Sequence, residues 1–138
     1  MQTPLFAKLP NKVCRHLVKK MHPRTYEENE VVFQDDELGA GAILIKTGRI
    51  SLKAGDQELA QLSAGDFFGE GCLVVNEPRT ATAVALEKSE LIFFLQSDLA
   101  EWVEASPKHG AQLALNLSRV LVSRLREAND QLENRITS

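Results

Sequence analysis

Short apolar runs separated by turn-forming residues constrain the fold of this chain more than any other feature. Seven such runs lie between residues 24 and 95. They are 31–33, 42–45, 50–52, 59–62, 67–68, 82–86 and 91–95. The intervals leave no room for a series of long βαβ crossovers, and glycines occupy many of the turns. The pattern therefore predicts antiparallel strands in a roll or sandwich.

Helical periodicity flanks this β segment, residues 24–95, on both sides. Within residues 1–23, apolar side chains recur at helical spacing after Pro10, which predicts a short amphipathic helix. They are Val13, Cys14, Leu17, Val18 and Met21. Within residues 96–134, Ser97 is expected to cap a short helix, and Ser106-Pro107 is typical of the start of a second, long helix.

The long C-terminal helix carries more apolar residues than one stripe needs. A stripe at three- and four-residue steps consists of Ala114, Leu117, Leu121, Leu125, Ala128 and Leu132, and four further apolar residues widen it. Two interpretations are open: the whole apolar surface packs on the domain's own core, or one face covers the core while another meets a partner helix. We favour the second, and with it a homodimer, because so short a β segment offers little surface to cover.

Size and charge limit both the class of the protein and its partners. With 138 residues, 43% of them hydrophobic, residues 1–138 are expected to form one domain with its own core. Sixteen Lys and Arg against 19 Asp and Glu give a formal charge of −3, so no whole-molecule field attracts a phosphate backbone. Residues 133–138 cannot hold a helix-turn-helix, so we expect no direct DNA binding.

Other chemistry-bearing residues give little support to a metal site, a membrane anchor or catalysis. The three histidines, His16, His22 and His109, are scattered, so no metal ligand set is expected. No run approaches the roughly 18 apolar residues of a membrane span, and no leader pattern is present, which predicts a cytoplasmic protein. Cys14 and Cys72 are expected to be free thiols without a histidine base, so we expect no enzyme.

The loop of residues 65–82 combines glycines, one carboxylate and one arginine. If Gly69 and Gly71 allow close backbone approach, a one-turn helix over residues 70–74 would direct amides at a phosphate, and Arg79 would add a bidentate clamp. Glu70 would repel that phosphate, so its natural partner is a hydroxyl such as a ribose 2′-OH. Phosphate and sugar together indicate a nucleotide. On spacing alone, a glycine-rich hairpin with a solvated Glu and Arg remains an equal alternative.

A family resemblance favours the nucleotide. The stretch 68–82, FGEGCLVVNEPRTAT, resembles the phosphate-binding cassette of the cyclic nucleotide-binding domain, the module of the catabolite activator protein and of cyclic-AMP-dependent kinase regulatory subunits. Residues 5–9, 42–52, 62–70 and 123–132 resemble other parts of the same family. The resemblance implies a mainly β fold, an eight-stranded antiparallel jelly-roll with N-terminal helices and a long C-terminal helix.

The resemblance also assigns roles to individual residues. Glu70 would accept the ribose 2′-OH and Arg79 would pair with the cyclic phosphate. Backbone contacts would come from Gly69, Gly71, Cys72 and Ala81. Thr80 could bond the phosphate or the purine, so cyclic GMP stays open although cyclic AMP is preferred. Asn129 would cap the base from the C-terminal helix.

The function that follows is a cyclic nucleotide sensor without a cofactor. Ligand binding would be transmitted through the C-terminal helix to a dimer or to an effector protein. Cys72, where the family usually has alanine, is expected to be a small buried filler, with a redox-sensitive thiol as the alternative. The alternative function is a jelly-roll interaction or scaffold module that does not bind a nucleotide.

Overall fold

The computed structural model describes residues 3–137, with side chains described through residue 134. The N-terminal part forms a 3₁₀ turn, Pro4–Phe6, and helix α1, Asn11–Lys19. The first strands are β1 His22–Tyr26, β2 Val31–Phe33, β3 Gly41–Thr47 and β4 Arg49–Ala54. Then follow β5 Gln57–Ser63, β6 Phe67–Phe68, a 3₁₀ helix Glu70–Leu73, β7 Thr82–Ala85 and β8 Ser89–Leu95. Helices α2, Gln96–Ala105, and α3, Pro107–Thr137, follow β8.

Within residues 3–137, the eight strands form two four-stranded sheets, and all paired strands are antiparallel. One sheet has the order β1-β8-β3-β6 and the other β2-β7-β4-β5. Strands that are neighbours in space are mostly distant in sequence, as the long connections of a roll require. The predicted mainly β fold with eight strands, flanking helices and a long C-terminal helix is confirmed.

Strand β1 is the strand that apolar patterning missed. It pairs with β8 from His22 opposite Phe93 to Tyr26 opposite Ser89. Four of its five residues are exposed, and it contains Pro23, which an edge strand tolerates. An exposed edge strand needs no apolar alternation, so its sequence carries no such signal. The expected division between residues 23 and 24 therefore falls inside a strand.

The buried side chains form two clusters on either side of the first sheet. One lies between this sheet and the helices, and it contains Leu44, Phe94, Trp102 and Leu113. The other lies between the two sheets, where Ile43 and Ile45 pack with residues of β2, β4, β6 and β7. Successive side chains of β3 thus pack in opposite clusters. Both faces of the strand are buried, which explains why its apolar run is continuous.

The starts of the last two helices agree only in part with expectation. Helix α3 begins at Pro107 as predicted. Helix α2 is not capped by Ser97, because the backbone N–H of Leu95 donates to the Asp98 carboxylate at 2.8 Å. A carboxylate at this position also complements the positive end of the helix dipole.

Helix α3 has one face on the domain and another in solvent. Leu113, Asn116 and Leu117 are buried, and the Asn116 amide donates to the carbonyls of Leu5 and Ala7 at 2.9 and 2.7 Å. Leu125 and Leu132 are 62% and 56% exposed. The predicted stripe therefore divides along the helix, and its second half has no cover from the described chain. None of the helices within residues 3–137 has both the length and the apolar character of a membrane span.

Candidate functional site

The loop between β6 and β7 lines an open cavity of about 240 Å³. Seven of the eight predicted site residues line it: Gly69, Glu70, Gly71, Cys72, Arg79, Thr80 and Ala81. Phe33 and Leu52, from the second sheet, and Phe68 give it an apolar side. A larger groove of about 1090 Å³ lies beside α1, but it contains no buried charge. Among the described residues, Glu70 and Arg79 are the only charged side chains that are buried, and both lie at the smaller cavity.

Gly69 allows the loop to close around Arg79. Its φ of 72° lies in the left-handed region, and it precedes the 3₁₀ helix Glu70–Leu73. A Cβ at Gly69 would overlap Nη1 of Arg79, so the guanidinium crosses the loop directly over this backbone. Glycine is therefore required here both by φ and by close approach.

The backbone of Arg79 is anchored to the turn that follows β2. Its N–H donates to the Glu37 carbonyl at 2.7 Å, and its carbonyl accepts from the Asp36 N–H at 2.8 Å. Gly39 of the same turn donates to the Glu77 carbonyl at 3.2 Å. These backbone hydrogen bonds fix the position of Arg79 in the loop.

The Arg79 side chain is a buried cation without an anionic partner in the described chain. It is 8% exposed, and no carboxylate within residues 3–134 lies within 4.0 Å of its guanidinium. The guanidinium carbon lies 4.4 Å from the centroid of the Phe33 ring, and Nη1 donates to Cys72 Sγ at 3.6 Å. Burying an unpaired charge is costly, so the site favours an anion.

Glu70 connects the cavity to α3. The carboxylate is 3.4 Å from Nε of Arg124, whose Nη2 donates to the Phe67 carbonyl at 2.9 Å. Arg124 also lines the cavity, and the sequence analysis missed it. Its position could have been predicted from spacing. Arg124 follows Leu117 by seven residues and Val120 by four, which places it on the face of α3 that packs on the domain.

Asn129 lies outside this cavity. Its side chain is exposed, and it follows Arg124 by five residues, which turns it about 140° around the helix axis. The described chain brings seven predicted residues together and leaves Asn129 on another face. Its role as a base cap stays a prediction.

Comparison with known proteins identifies the family. The family model described as the cyclic nucleotide-binding domain matches residues 23–106. The chain belongs to the cyclic nucleotide-binding domain family. The cyclic AMP receptor protein of Thermus thermophilus is 32% identical over 136 residues, which are 95% of this chain and 61% of that protein. The cGMP-dependent protein kinase of Plasmodium berghei is 32% identical over 81 residues, 59% of this chain and 10% of the kinase.

A solved structure agrees with this assignment. The crystal structure of Thermus thermophilus catabolite activator protein superposes with a TM-score of 0.85 at 32% identity, covering 95% of this chain and 62% of the other. This cyclic nucleotide-binding domain thus spans about three fifths of the Thermus relative and a tenth of the kinase.

In this cyclic nucleotide-binding domain, Cys72 is a buried thiol at the cavity wall. Burial raises its pKa, and this effect outweighs the opposite effect of the Arg79 charge. Its Sγ also donates to the Glu77 carbonyl at 3.7 Å. A thiol with a raised pKa is protonated at neutral pH and is a poor nucleophile, which supports packing over redox sensing. Burial likewise raises the pKa of Cys14.

The described residues offer no metal centre. Nowhere in residues 3–137 do three His, Cys, Asp or Glu side chains come together in a group able to hold a metal ion. The two buried charges, Glu70 and Arg79, therefore define the chemistry that this cavity presents.

Proposed function

We propose that this domain binds a 3′,5′-cyclic nucleotide in the 240 Å³ cavity and acts as a regulatory sensor. The observation that carries the proposal is the buried Arg79 guanidinium, which has no carboxylate partner within residues 3–134 and shares its cavity with the buried Glu70 carboxylate. A single ligand that carries an anion and a hydroxyl donor satisfies both groups. A cyclic phosphate fused to a ribose is such a ligand.

Each cassette residue has a role in this proposal. Arg79 pairs with the cyclic phosphate through charge-assisted hydrogen bonds, and Glu70 accepts a hydrogen bond from the ribose 2′-OH. Gly69, Gly71, Cys72 and Ala81 contribute backbone contacts, because two of them lack a side chain and all four line the cavity. The opposite charges of Arg79 and Glu70 orient the ligand, since the Glu70 carboxylate would repel the phosphate.

The identity of the base depends on Thr80 and on α3. One relative is named a cyclic AMP receptor protein and another a cGMP-dependent kinase, so the names of the relatives include both nucleotides. We propose cyclic AMP as the preferred ligand and cyclic GMP as the alternative. The Thr80 hydroxyl is the group at the cavity that could bond the phosphate or a purine edge.

Calorimetric titration tests the proposal directly. Nucleotide-stripped protein is titrated with cyclic AMP, with cyclic GMP, and with 5′-AMP as a control that lacks the cyclic diester. We expect a dissociation constant of about 1 μM or lower for one cyclic nucleotide. If folded protein gives no heat with either, the proposal is wrong and the interaction or scaffold module becomes the better interpretation.

Replacement of Arg79 tests the anion site. The Arg79→Ala variant loses a charge-assisted pair in a buried site, so we expect the free energy of binding to weaken by about 1.5–3 kcal/mol, or roughly 10- to 150-fold in affinity. The matched control is Arg49→Ala, because Arg49 is exposed and pairs with Glu87 at 2.9 Å away from the cavity. Equal affinity of the Arg79 variant and the control would refute the assignment of the phosphate site.

We propose that the output of the sensor passes through α3. The Glu70–Arg124 contact joins the ligand site to this helix, whose outer face is exposed. A ligand that changes the position of Glu70 can therefore bias α3, its dimer, or an effector protein that binds it. The family consists of regulatory binding modules, which supports a cytoplasmic sensor that is not an enzyme. On this proposal residues 1–138 act as one module and carry no cofactor.

A further inference from the structure

The Cys72 side chain fills a space between the cassette and the turn that follows β2. It is 4% exposed. A Cβ at Gly39, in that turn, would overlap Cys72 Sγ and would lie 3.0 Å from both Cζ and Nε of Arg79. The sulfur and the guanidinium therefore pack side by side on the backbone of Gly39. The absence of a side chain at Gly39 is what leaves room for both.

The Cys72 thiol also forms hydrogen bonds on two sides. Nη1 of Arg79 donates to Sγ at 3.6 Å, and Sγ donates to the Glu77 carbonyl at 3.7 Å. The single S–H proton serves the second bond and the sulfur lone pairs serve the first, so the two roles do not conflict. The Glu77 carbonyl also accepts from the Gly39 N–H at 3.2 Å. The thiol thus connects the Arg79 guanidinium to the backbone on which Gly39 is held.

Sulfur holds the arginine without neutralising it. A guanidinium has five N–H donors, and within residues 3–134 the bond to Cys72 Sγ is the only hydrogen bond that the Arg79 side chain forms. A neutral thiol is a weak acceptor, so this bond orients Nη1 while the positive charge stays without a counterion in the described chain. An alanine at position 72 would offer no acceptor and would leave the space beside Gly39 unfilled.

We propose that Cys72 is a positioning residue for Arg79, and that its thiol, packed on Gly39, holds the guanidinium in the orientation that binds the phosphate of the nucleotide. This inference rests on the proposed function and adds the residue that sets the geometry of its anion site. Cys72 therefore does more than fill space at the cavity wall.

Replacement of the thiol tests this role. We expect Cys72→Ala to bind the cyclic nucleotide roughly 2- to 10-fold more weakly than wild type, because one hydrogen bond to a charged group is lost. Cys72→Ser should recover most of that loss, since a hydroxyl is also both a donor and an acceptor. Cys14→Ala, at a thiol that lines the larger groove beside α1, is the matched control and should bind normally. Calorimetric titration measures all four proteins, and unchanged affinity of Cys72→Ala would overturn the inference.

A double-mutant cycle shows whether Cys72 acts through Arg79. In the Arg79→Ala background the thiol has no guanidinium to hold, so Cys72→Ala should there change the affinity by less than about twofold. A residue that only stabilised the loop would weaken binding equally in both backgrounds. An equal loss would therefore overturn the positioning role, even if Cys72→Ala alone binds weakly.

The fit between Gly39 and Cys72 gives an independent test. A methyl group at Gly39 would overlap Sγ, so we expect Gly39→Ala to lower the affinity about fivefold or more. Adding Cys72→Ala removes the sulfur, and the double variant should bind more tightly than Gly39→Ala alone. A double variant that binds as weakly as Gly39→Ala, or more weakly, would contradict the proposed packing.

The wild-type titration separates this inference from the proposed function. If wild type binds neither cyclic AMP nor cyclic GMP, the proposed function is wrong and the inference is wrong with it. If wild type binds and Arg79→Ala weakens binding while Cys72→Ala does not, the phosphate site stands and only the role of Cys72 is refuted.

Discussion

The Arg79 guanidinium packs on an aromatic ring and not on a carboxylate of the described chain, and this difference matters for ligand binding. The Phe33 ring lies 4.4 Å from the guanidinium carbon and packs against Phe68 with its centroid at 5.8 Å. A carboxylate in that place would have to be displaced by an incoming phosphate. The face of a ring holds the cation and, apart from the Nη1 donor to Cys72 Sγ, leaves its N–H donors available for an anion. Phe33 is therefore a positioning residue for Arg79.

Substitution of Phe33 should weaken binding through Arg79. The Phe33→Leu variant keeps an apolar side chain but loses the cation–π contact, worth about 0.5–2 kcal/mol, so we expect affinity to fall roughly 2- to 30-fold. Phe33→Tyr keeps the ring face and should bind like wild type. Calorimetry in the Arg79→Ala background provides the control, because there the Phe33 substitution should have little effect. An equal loss in both backgrounds would show that Phe33 acts independently of Arg79.

Arg124 is the residue of α3 that lines the cavity among the described residues. The side chain is 42% exposed, yet it reaches both the Glu70 carboxylate and the Phe67 carbonyl. Its guanidinium also lies 5.7 Å from the Phe67 ring centroid. One residue thus connects the longest helix to the strand and the 3₁₀ helix that frame the cavity.

Loss of the Arg124 contacts should reduce ligand affinity. The Arg124→Met variant keeps the aliphatic stem but no longer holds the Glu70 carboxylate. We expect affinity to fall about two- to tenfold, a modest change because partly exposed ion pairs are weak. Arg126→Met, at an exposed position of the same helix, is the control and should bind normally in the same titration. If the Arg124→Met variant binds with wild-type affinity, α3 does not contribute to ligand binding through Arg124.

The whole molecule divides into a β frame and a helical surface. The two sheets enclose one cluster of apolar residues and present the cavity, while α1, α2 and the first half of α3 cover the first sheet. Leu121 belongs partly to this internal packing, so a charge there would disturb the domain itself. Leu125 is 62% exposed and lies on the uncovered stripe.

A charge at Leu125 should therefore dissociate the proposed dimer without unfolding the domain. We expect Leu125→Glu to sediment as a monomer, since two carboxylates would face each other across an apolar seam. Leu59→Glu on β5 is the control, because Leu59 is 54% exposed and lies away from α3. A Leu125→Glu dimer as stable as wild type would exclude this face as the interface.

The sequence alone determined the local features of this protein. The apolar runs marked strands β2 to β8, because period-two burial and turn chemistry are local properties. Glycine, Glu70 and Arg79 along one loop indicated a possible nucleotide site, and the family resemblance of residues 68–82 favoured it over a solvated hairpin. Strand β1 escaped detection because an exposed edge strand needs no apolar pattern.

Only the tertiary structure decided which distant residues complete the cavity. Phe33 reaches Arg79 because β2 and β7 pair in the second sheet, and Arg124 reaches Glu70 because α3 packs across the first sheet. No sequence pattern near these residues predicts either contact, since each contact depends on how elements distant in sequence pack together. The same packing directs Asn129 away from the cavity. Arg124 faces the cavity, and Asn129 follows it by five residues, which turns Asn129 to another side of the helix.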